Sequence, residues 1–448
     1  MAQDRDVVVV GGGVAGLVAA ATAAESGASV LLLDARRSAG GRARTHEVDG
    51  YLHNEGPHAL YLGGELNAAL RRFGVPVRGG DPARGTYGGL SADGETVPVP
   101  LTAGQLLGNQ ALGLRDKAAM GRLLGGLAVL RPARHADRSA AEWLDATVRP
   151  GLGRSMVHAL VRLATYVPDL DRLSADAAIV QLQRAASTGV RYLDGGWVTV
   201  VDGLLRAAAA RGVALAVRRP VRQVRRSADG RAWSVESDDG DVVEARSVIL
   251  AAGGPGLAAQ LAAEAAPVLA EWAARAVPVT ASHLDVGVHG AWHGPSVVLG
   301  LDRPTYLSVH APLADLAPGG TTMVSAMRYH LAGETPDPNA DRCELEGLLD
   351  RVRPGWQDQR PHIRFGARLV VAHDRPRPET GGLAGRPGPE VPAAGGLYVA
   401  GDWVGPEGNL ADAAAASGAR AGALAAGRSS GSARSSEAAA AAAARMAP

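Results

Sequence analysis

The sequence predicts an α/β protein built on a doubly wound, mostly parallel sheet, with a second, α+β domain inserted into it. Three observations carry this. Asp6 to Asp34, DVVVVGGGVAGLVAAATAAESGASVLLLD, reads as strand, glycine turn, helix and strand. From about Leu101 to Thr188 that alternation stops and the chain reads mainly as helices. Strand-forming sequence returns after Gly195-Gly196-Trp197 and continues to about Arg375.

In the first unit, Val7 to Val10 form a continuous β-branched run, the pattern of a parallel strand buried on both faces. Gly11, Gly13 and Gly16 follow at once and fit G-x-G-x-x-G, with Val14 and Ala15 between the last two. Leu17 to Ser26 reads as a small-residue helix, Gly27 as its C-cap, and Ser29 to Leu33 as a strand ending at Asp34. Gly11 permits a tight turn, Gly13 lets backbone approach a pyrophosphate, and Gly16 lets helix and strand pack closely. The helix N-terminus presents free N–H groups and partial positive charge to phosphates. Asp34 is placed to accept hydrogen bonds from an adenosine ribose. A G-x-G-x-x-G alone is weak; with these flanking elements and this acid it marks a Rossmann-like dinucleotide site.

Next comes a glycine-bearing basic loop, Ala35-Arg36-Arg37-Ser38-Ala39-Gly40-Gly41-Arg42-Ala43-Arg44-Thr45, then a turn at His53-Asn54-Glu55-Gly56-Pro57-His58. In the helical block Ser174 is the expected N-cap and Gly189 the stop of a helix with Ile179, Leu182 and Ala186 on one face. Val200 to Arg211 reads as a helix closed by Gly212, and Val213 to Val217 as a short strand. Arg231 to Ser237 and Asp241 to Leu250 flank Asp238-Asp239-Gly240, a hairpin signal whose second strand runs into Ala251-Ala252-Gly253. Ser282 to Val288 and Thr305 to His310 belong to a sheet of the second domain. Gly396 to Ala400 is a last strand, followed by Gly401-Asp402 and a small-residue helix over Ala411 to Ala426. The boundaries expected are 1–85, 195–280 and 395–427 for the nucleotide domain and 86–194 with 281–394 for the substrate domain. The Ser-, Gly- and Ala-rich tail, 428–448, is expected to be disordered, with a transiently helical alanine run.

The 448 residues leave room for two domains, and a net charge of +1 gives no reason to expect nucleic acid or an anionic membrane. Arginine supplies almost all the positive charge, since Lys117 is the only lysine. Cys343 stands alone, which excludes a disulfide framework or cysteine metal cluster and points to a reducing cytoplasm. No signal peptide is expected. Val7 to Ala24 is uncharged and long, but its break into strand, turn and helix argues against a membrane span. Peripheral membrane contact and oligomeric state stay open.

Three separated pieces, the first βαβ unit, Gly40-Gly41-Arg42-Ala43-Arg44-Thr45, and Ala400-Gly401-Asp402 ahead of Ser417-Gly418, together resemble the flavin-containing amine oxidase and phytoene desaturase superfamily. The resemblance implies a discontinuous FAD-binding domain of the glutathione reductase-like type with an inserted α+β substrate-binding domain, and FAD as cofactor. By the same resemblance Gly11, Gly13, Val14, Ala15 and Gly16 hold the pyrophosphate, and Asp34, with Ala35 and Arg36 beside it, the adenosine ribose. Gly41 and Arg42 lie against the phosphates or the flavin edge, Val221 pairs with the adenine, and Ala252 lines the site. Gly56, Pro57 and His58 reach the flavin, Gly401 and Asp402 hold the ribityl chain and phosphate, and the helix starting near Asn409 and Leu410 faces the flavin N1–C2=O edge. That last role has its own physical reason, because a reduced flavin carries negative charge there, which a helix N-terminus stabilises.

Two departures weigh against the amine oxidase branch. It usually has a mid-chain lysine near the flavin, whereas Lys117 lies in the helical block. It also tends to frame the substrate amine with an aromatic where this chain has Asn409. Leu299-Gly300-Leu301-Asp302-Arg303-Pro304 and Gly405-Pro406-Glu407-Gly408 look more like bacterial desaturase-like oxidoreductases.

His58 is the candidate catalytic residue, able to orient a substrate or accept a proton; the plainer alternative is a turn histidine bonded to backbone. His283, Asp285, His289 and His293 lack a fourth-ligand pattern and read as sheet and turn positions, so no metal is expected. Gly254-Pro255-Gly256 lacks the third glycine of a second nucleotide loop. Trp143, Tyr166, Trp197, Trp292 and Tyr306 line either a cavity or, as aromatics ordinarily do, the core. Arg218-Arg219 and Arg225-Arg226 read as solvated strand charges. The expected function is an FAD-dependent oxidoreductase that moves a hydride from a C–H bond of an apolar or amphiphilic small molecule to flavin N5, with oxygen or a quinone as acceptor. The alternatives are a flavin-dependent amine oxidase, a non-redox flavin isomerase, and a non-enzymatic binding protein in the manner of Rab GDP dissociation inhibitors.

Overall fold

The first three elements form where the glycine spacing puts them: β1 (Arg5–Val10), α1 (Val14–Glu25) and β2 (Val30–Asp34). The structure, a computed structural model, describes residues 4–359 and 361–427 with their side chains; the expectation for the tail, 428–448, lies outside these described residues. The elements that matter for the site follow in chain order. They are β3 (Tyr51–Asn54), β4 (Tyr87–Leu90), β5 (Thr96–Pro98), α2 (Ala175–Thr188) and α3 (Val198–Ala209). Next come β6 (Ala214–Val217), β7 (Val221–Arg226), β8 (Trp233–Ser237) and β9 (Val242–Leu250). The remainder are β10 (Val279–His289), β11 (Val297–Gly300), β12 (Thr305–Ala311), β13 (Thr321–Tyr329), β14 (His362–Ala372), β15 (Leu397–Val399) and α4 (Leu410–Arg445).

The first sheet runs β6-β2-β1-β9-β8-β7, with β15 paired to the carboxyl half of β9. Its centre is parallel and its β7-β8-β9 arm is an antiparallel meander. The valine run explains why β1 sits centrally. Val7 and Val9 point into one buried cluster with α1, α3 and α4, while Val8 and Val10 point into another on the opposite face. A strand alternates its side chains, so only an unbroken apolar run satisfies both faces.

Almost every residue of α1 is buried, because sheet and α4 clamp it from opposite sides. A Cβ on Gly418 or Gly422 of α4 would overlap the carbonyl oxygen of Ala15 or Ala19, so the two backbones touch and only glycine fits. The pairings Gly418 with Ala15 and Gly422 with Ala19 make the helices parallel and fix their register. At the helical rise, Leu410 therefore projects about 10 Å beyond the N-terminus of α1.

The second sheet runs β14-β10-β13-β12-β11-β4-β5. One face, with Leu284, Val286, Leu307, Val324 and Ala326, packs on the Pro338–Val352 helix. The other carries Ala281, Tyr306, Met327 and Tyr329 against the helical block. Among the described residues no helix is long and apolar enough to cross a membrane.

Three smaller expectations are corrected. Ala186 is exposed rather than on the buried face of α2. Ser174 begins that helix, but its hydroxyl bonds the Asp176 carboxylate instead of a backbone N–H. Arg226 is more than a solvated charge, since its guanidinium lies 4.2 Å over the Trp233 ring and donates to the Gly395 carbonyl.

Candidate active site

Gly11 has φ +108°, and a Cβ there would strike Ala251 and Ala252 at the end of β9, so the turn is pressed onto that strand. Asp34, largely buried at the end of β2, is held by two backbone donors: Gly12 N–H to Oδ2 and Arg36 N–H to Oδ1, each 2.8 Å. Each carboxylate oxygen keeps further acceptor capacity. The chain after β6 crosses the carboxyl ends of the strands, Arg219 N–H bonding the Asp34 carbonyl, and Val221 opens β7 against the cluster containing Val10 and Leu33. Ala35 and Arg36 are exposed beside it.

Gly40 (φ +126°) and Gly41 (φ +56°) form a second glycine turn lying on the first, Gly40 N–H donating to the Gly12 carbonyl at 2.7 Å. This apposition aims Arg42 across the cleft. Its guanidinium donates to the Val371 carbonyl at 2.6 Å and pairs with Asp402 Oδ2 at 3.0 Å. Asp402 also accepts from His373, at Oδ2 from the backbone N–H (3.0 Å) and at Oδ1 from Nδ1 (2.8 Å). Burial pushes the Asp402 carboxyl up, but the Arg42 charge and His373 outweigh it and hold it well below the usual range. Buried Arg386 ties down the following loop, donating to the carbonyls of Asp402 (3.0 Å) and Gly408 (2.6 Å). Burial lowers its pKa to about 10 against the pull of Asp402 and other nearby carboxylates. Gly401 N–H bonds Ser417 Oγ, anchoring the same loop to α4.

Asn409 caps α4 with its carbonyl, which accepts from the N–H groups of Asp412 and Ala413, while its amide side chain turns away to the Ala177 carbonyl. The position is buried and polar, not an aromatic frame. Leu410 has φ +55°. Gly56 (φ +87°) turns the Pro57 carbonyl toward the Tyr166 hydroxyl at 3.1 Å. His58 Nδ1 lies 2.7 Å from the Gly56 carbonyl, so Nδ1 carries the proton and Nε2 is left as an acceptor. Its ring packs on Trp197 at 4.9 Å, and burial lowers its pKa. Tyr306 and Tyr329 stack at 5.7 Å with Tyr166 edge-on to both. Burial raises all three phenols, which keeps them neutral. Trp143 belongs to the helical core, and Trp292 bonds the Pro295 carbonyl far from this cluster. Gly254-Pro255-Gly256 begins a short helix whose first residue abuts the His373 ring.

The structure thus brings Arg42 and Asp402, 360 positions apart, into one ion pair, and sets Ala252 against Gly11. It adds His373 and Arg386, which sequence reasoning missed. The signal for His373 was a polar run, His373-Asp374-Arg375-Pro376, closing an apolar strand; for Arg386 there was none.

These residues fit FAD. Gly13 caps α1 without a side chain and has open space where a Cβ would be, so the first-turn N–H groups are available to a phosphate. The N-terminus of α4 stands about 10 Å further on and would face the electron-accepting half of the bound molecule. The fold and this site define an FAD-dependent oxidoreductase. The sequence profile of the flavin containing amine oxidoreductases matches residues 14–425, and the chain belongs to that family. It is 27% identical over 206 residues to the chloroplastic protoporphyrinogen oxidase of Nicotiana tabacum, covering 45% of this chain and 36% of that one, so the match spans about a third of the tobacco protein. It is 26% identical over 424 residues to coproporphyrinogen III oxidase of Propionibacterium freudenreichii, covering 79% of this chain and 78% of that one. An oxidoreductase from Methanosarcina mazei superposes with a TM-score of 0.74 at 20% identity, covering 93% and 99% of the two chains, which establishes the fold.

Proposed function

We propose that the protein removes a hydride from a C–H bond of an apolar or amphiphilic substrate of the porphyrinogen type. The observation that carries this reading is a neutral aromatic cluster tied to the His58 turn, the Tyr166 hydroxyl donating to the Pro57 carbonyl. Buried Tyr306 and Tyr329 stack with Tyr166 edge-on to both, and Met327 lies beside them on the same sheet face. A neutral aromatic cluster beside the His58 turn suits a broad, weakly polar ring system better than an ammonium group. The similarity to coproporphyrinogen III oxidase over most of both chains supports the same class. Bound FAD supplies the two-electron chemistry. The protein's own part is to hold the substrate against the aromatic cluster and to exclude water. His58, neutral near pH 7 with Nε2 as acceptor, is placed to orient the substrate or take its proton. Oxygen or a quinone is the acceptor in this reading, and exposed, solitary Cys343 fits the reducing cytoplasm.

The test is anaerobic mixing of native and His58→Ala holoprotein with coproporphyrinogen III, protoporphyrinogen IX, a C40 polyene and a set of primary amines. A porphyrinogen is expected to bleach the native flavin, with the variant slower by about 10²-fold and its oxidised spectrum unchanged. Bleaching by amines alone overturns the reading. A colourless protein points to the binding-protein alternative, and isomerised product without bleaching to the isomerase.

We further infer peripheral contact with an anionic membrane. Leu107, Leu114, Leu124 and Val129 are exposed on the helical block, interspersed with exposed Arg115, Arg122, Arg131 and Arg134. Exposed apolar side chains among cations match the boundary of an anionic bilayer. Co-sedimentation with phosphatidylglycerol vesicles is expected to exceed that with phosphatidylcholine. Leu114→Asp with Val129→Asp is expected to weaken it by at least about tenfold; equal pelleting of native and variant counts against the patch.

A further inference from the structure

Below the aromatic cluster the same sheet face turns polar. Asp285 on β10 lies next to His283 by strand alternation and opposite Ser325 of β13 and Arg364 of β14. Its Oδ1 accepts from Ser325 Oγ at 2.6 Å, and its Oδ2 lies 3.3 Å from His53 Nδ1 and 3.8 Å from the Arg364 guanidinium. His53 and Asp285 are both essentially inaccessible, with side chains 0% and 2% exposed. The other nitrogen of His53, Nε2, meets His362 Nε2 at 2.8 Å. His362 stacks on Tyr51, is 17% exposed, and turns Nδ1 toward Asp49 at 3.7 Å, itself 82% exposed. At the inner end, His283 Nε2 stands 4.0 Å from Asp285 Oδ2. Its two ring nitrogens are buried and have no hydrogen-bond partner. His283 is cross-strand from Met327 and within electrostatic range of His58.

We propose that Asp285, His53 and His362 form a proton path leading from the buried carboxylate beside His283 to solvent at Asp49. The proposal rests on the hydride-transfer reading for its purpose. When a neutral substrate gives up a hydride to form C=C or C=N, it must also release one proton from a buried place. Two imidazoles meeting nitrogen to nitrogen share one proton, so one ring donates and the other accepts. When the shared proton sits on His53 Nε2, a proton reaching Asp285 Oδ2 passes to His53 Nδ1, as the His53 Nε2 proton passes to His362 Nε2 and the His362 Nδ1 proton leaves to water beside Asp49. One proton enters, one leaves, no electrons move, and each ring ends as its other tautomer. The reverse shift carries a proton inward when the acceptor, oxygen or a quinone, takes up two electrons and two protons, one arriving with the hydride and one along the row. That return restores both tautomers. A fixed hydrogen-bonded scaffold would not need the chain to end at a partly exposed histidine beside the exposed Asp49 carboxylate.

The charged and titratable groups facing the row are His283, Arg364 and Glu55 around Asp285 and His53, His310 further along the sheet, His46 across the hairpin from His53, and Asp49 outside. The test uses holoprotein reduced with dithionite and then mixed with oxygen or a soluble quinone in weakly buffered solution containing a pH indicator. In native protein, proton uptake is expected to keep pace with return of the oxidised flavin spectrum and to slow in deuterium oxide. In His362→Gln both are expected to slow about tenfold, with added imidazole restoring the rate. Equal rates in native and variant overturn the path. Because this half-reaction needs no substrate, its result is independent of the substrate panel. A second readout needs no variant: nitrogen-15 spectra of the native imidazoles are expected to show a slowly exchanging proton coupled to both His53 and His362. Absence of that signal also overturns the proposal.

Discussion

Gly16→Ala is expected to leave little folded protein, whereas Gly13→Ala, three residues earlier in the same motif, is expected to fold normally and lose FAD. The two glycines meet different surroundings. A Cβ on Gly16 overlaps the carbonyl oxygen of Gly11 and approaches Ala251, so helix, turn and β9 would all have to part. The turn cannot yield, because Gly11 is itself wedged against Ala251 and Ala252 and its N–H bonds the Leu33 carbonyl at 2.7 Å. Overpacking against backbone costs about 3 kcal/mol or more, a large share of the roughly 5–15 kcal/mol that holds a domain folded. Gly13, in contrast, has an ordinary φ of −75° and nothing within 4 Å of an added Cβ. Alanine there costs about 1 kcal/mol or less as a helix N-cap, but its methyl group occupies the space a pyrophosphate needs. The measurements are soluble yield, thermal midpoint without cofactor, and FAD affinity by fluorescence quenching. A Gly16→Ala protein as stable as the native one, or a Gly13→Ala protein with undiminished FAD affinity, contradicts this account.

That contrast also shows what was legible in the sequence. The βαβ unit could be read because its determinants are local. A valine run, three glycines and an acid lie within thirty residues, and each acts through backbone geometry that spacing alone specifies. Gly40 and Gly41 were legible for the same reason, since their positive φ values let two turns lie face to face. The Arg42–Asp402 pair could be anticipated only through a family resemblance, because its members meet across the whole length of the chain. His373 reaches Asp402 from the end of β14, and Arg386 comes from a loop without periodicity. Only the polar run closing an apolar strand marks His373, and nothing local distinguishes Arg386 from a surface residue. The polar half of the second sheet was hidden for a further reason. His283 and Asp285 were visible as two residues on one strand face, yet their meaning depends on β3 and β14 arriving beside them, and strand order is a property of the assembled sheet. Ala186 went the other way: helical spacing put it on the buried face of α2, but the last turn of that helix runs past its neighbours into solvent.

Asp402→Asn is expected to weaken FAD binding by about 10²-fold or more and to destabilise the protein without cofactor by about 2–4 kcal/mol. The buried carboxylate receives three donors, one from Arg42 and two from His373, while Arg386 donates to the backbone carbonyl of the same residue. An amide of the same shape replaces one acceptor oxygen by an N–H₂ group, which faces donors and leaves Arg42 without its counter-charge. Removing one member of a buried pair costs about 3–5 kcal/mol, and the range above is reduced because the Arg42 side chain is 35% exposed and partly screened. The pH dependence separates charge from shape. Asp402 titrates below its unfolded value, so its stabilisation is fully present above pH 4 to 5 and is lost as pH falls toward the folded pKa. Asparagine has no such dependence. The stability gap between native and variant is therefore expected to be constant from about pH 5 to 8 and to narrow by roughly 1.4 kcal/mol per pH unit below about pH 4. Denaturant titrations across that range, with FAD affinity measured at pH 7, check both parts. A gap that does not narrow in acid would mean that Asp402 acts through shape and hydrogen bonding alone, and unchanged FAD affinity would remove the carboxylate from the cofactor site.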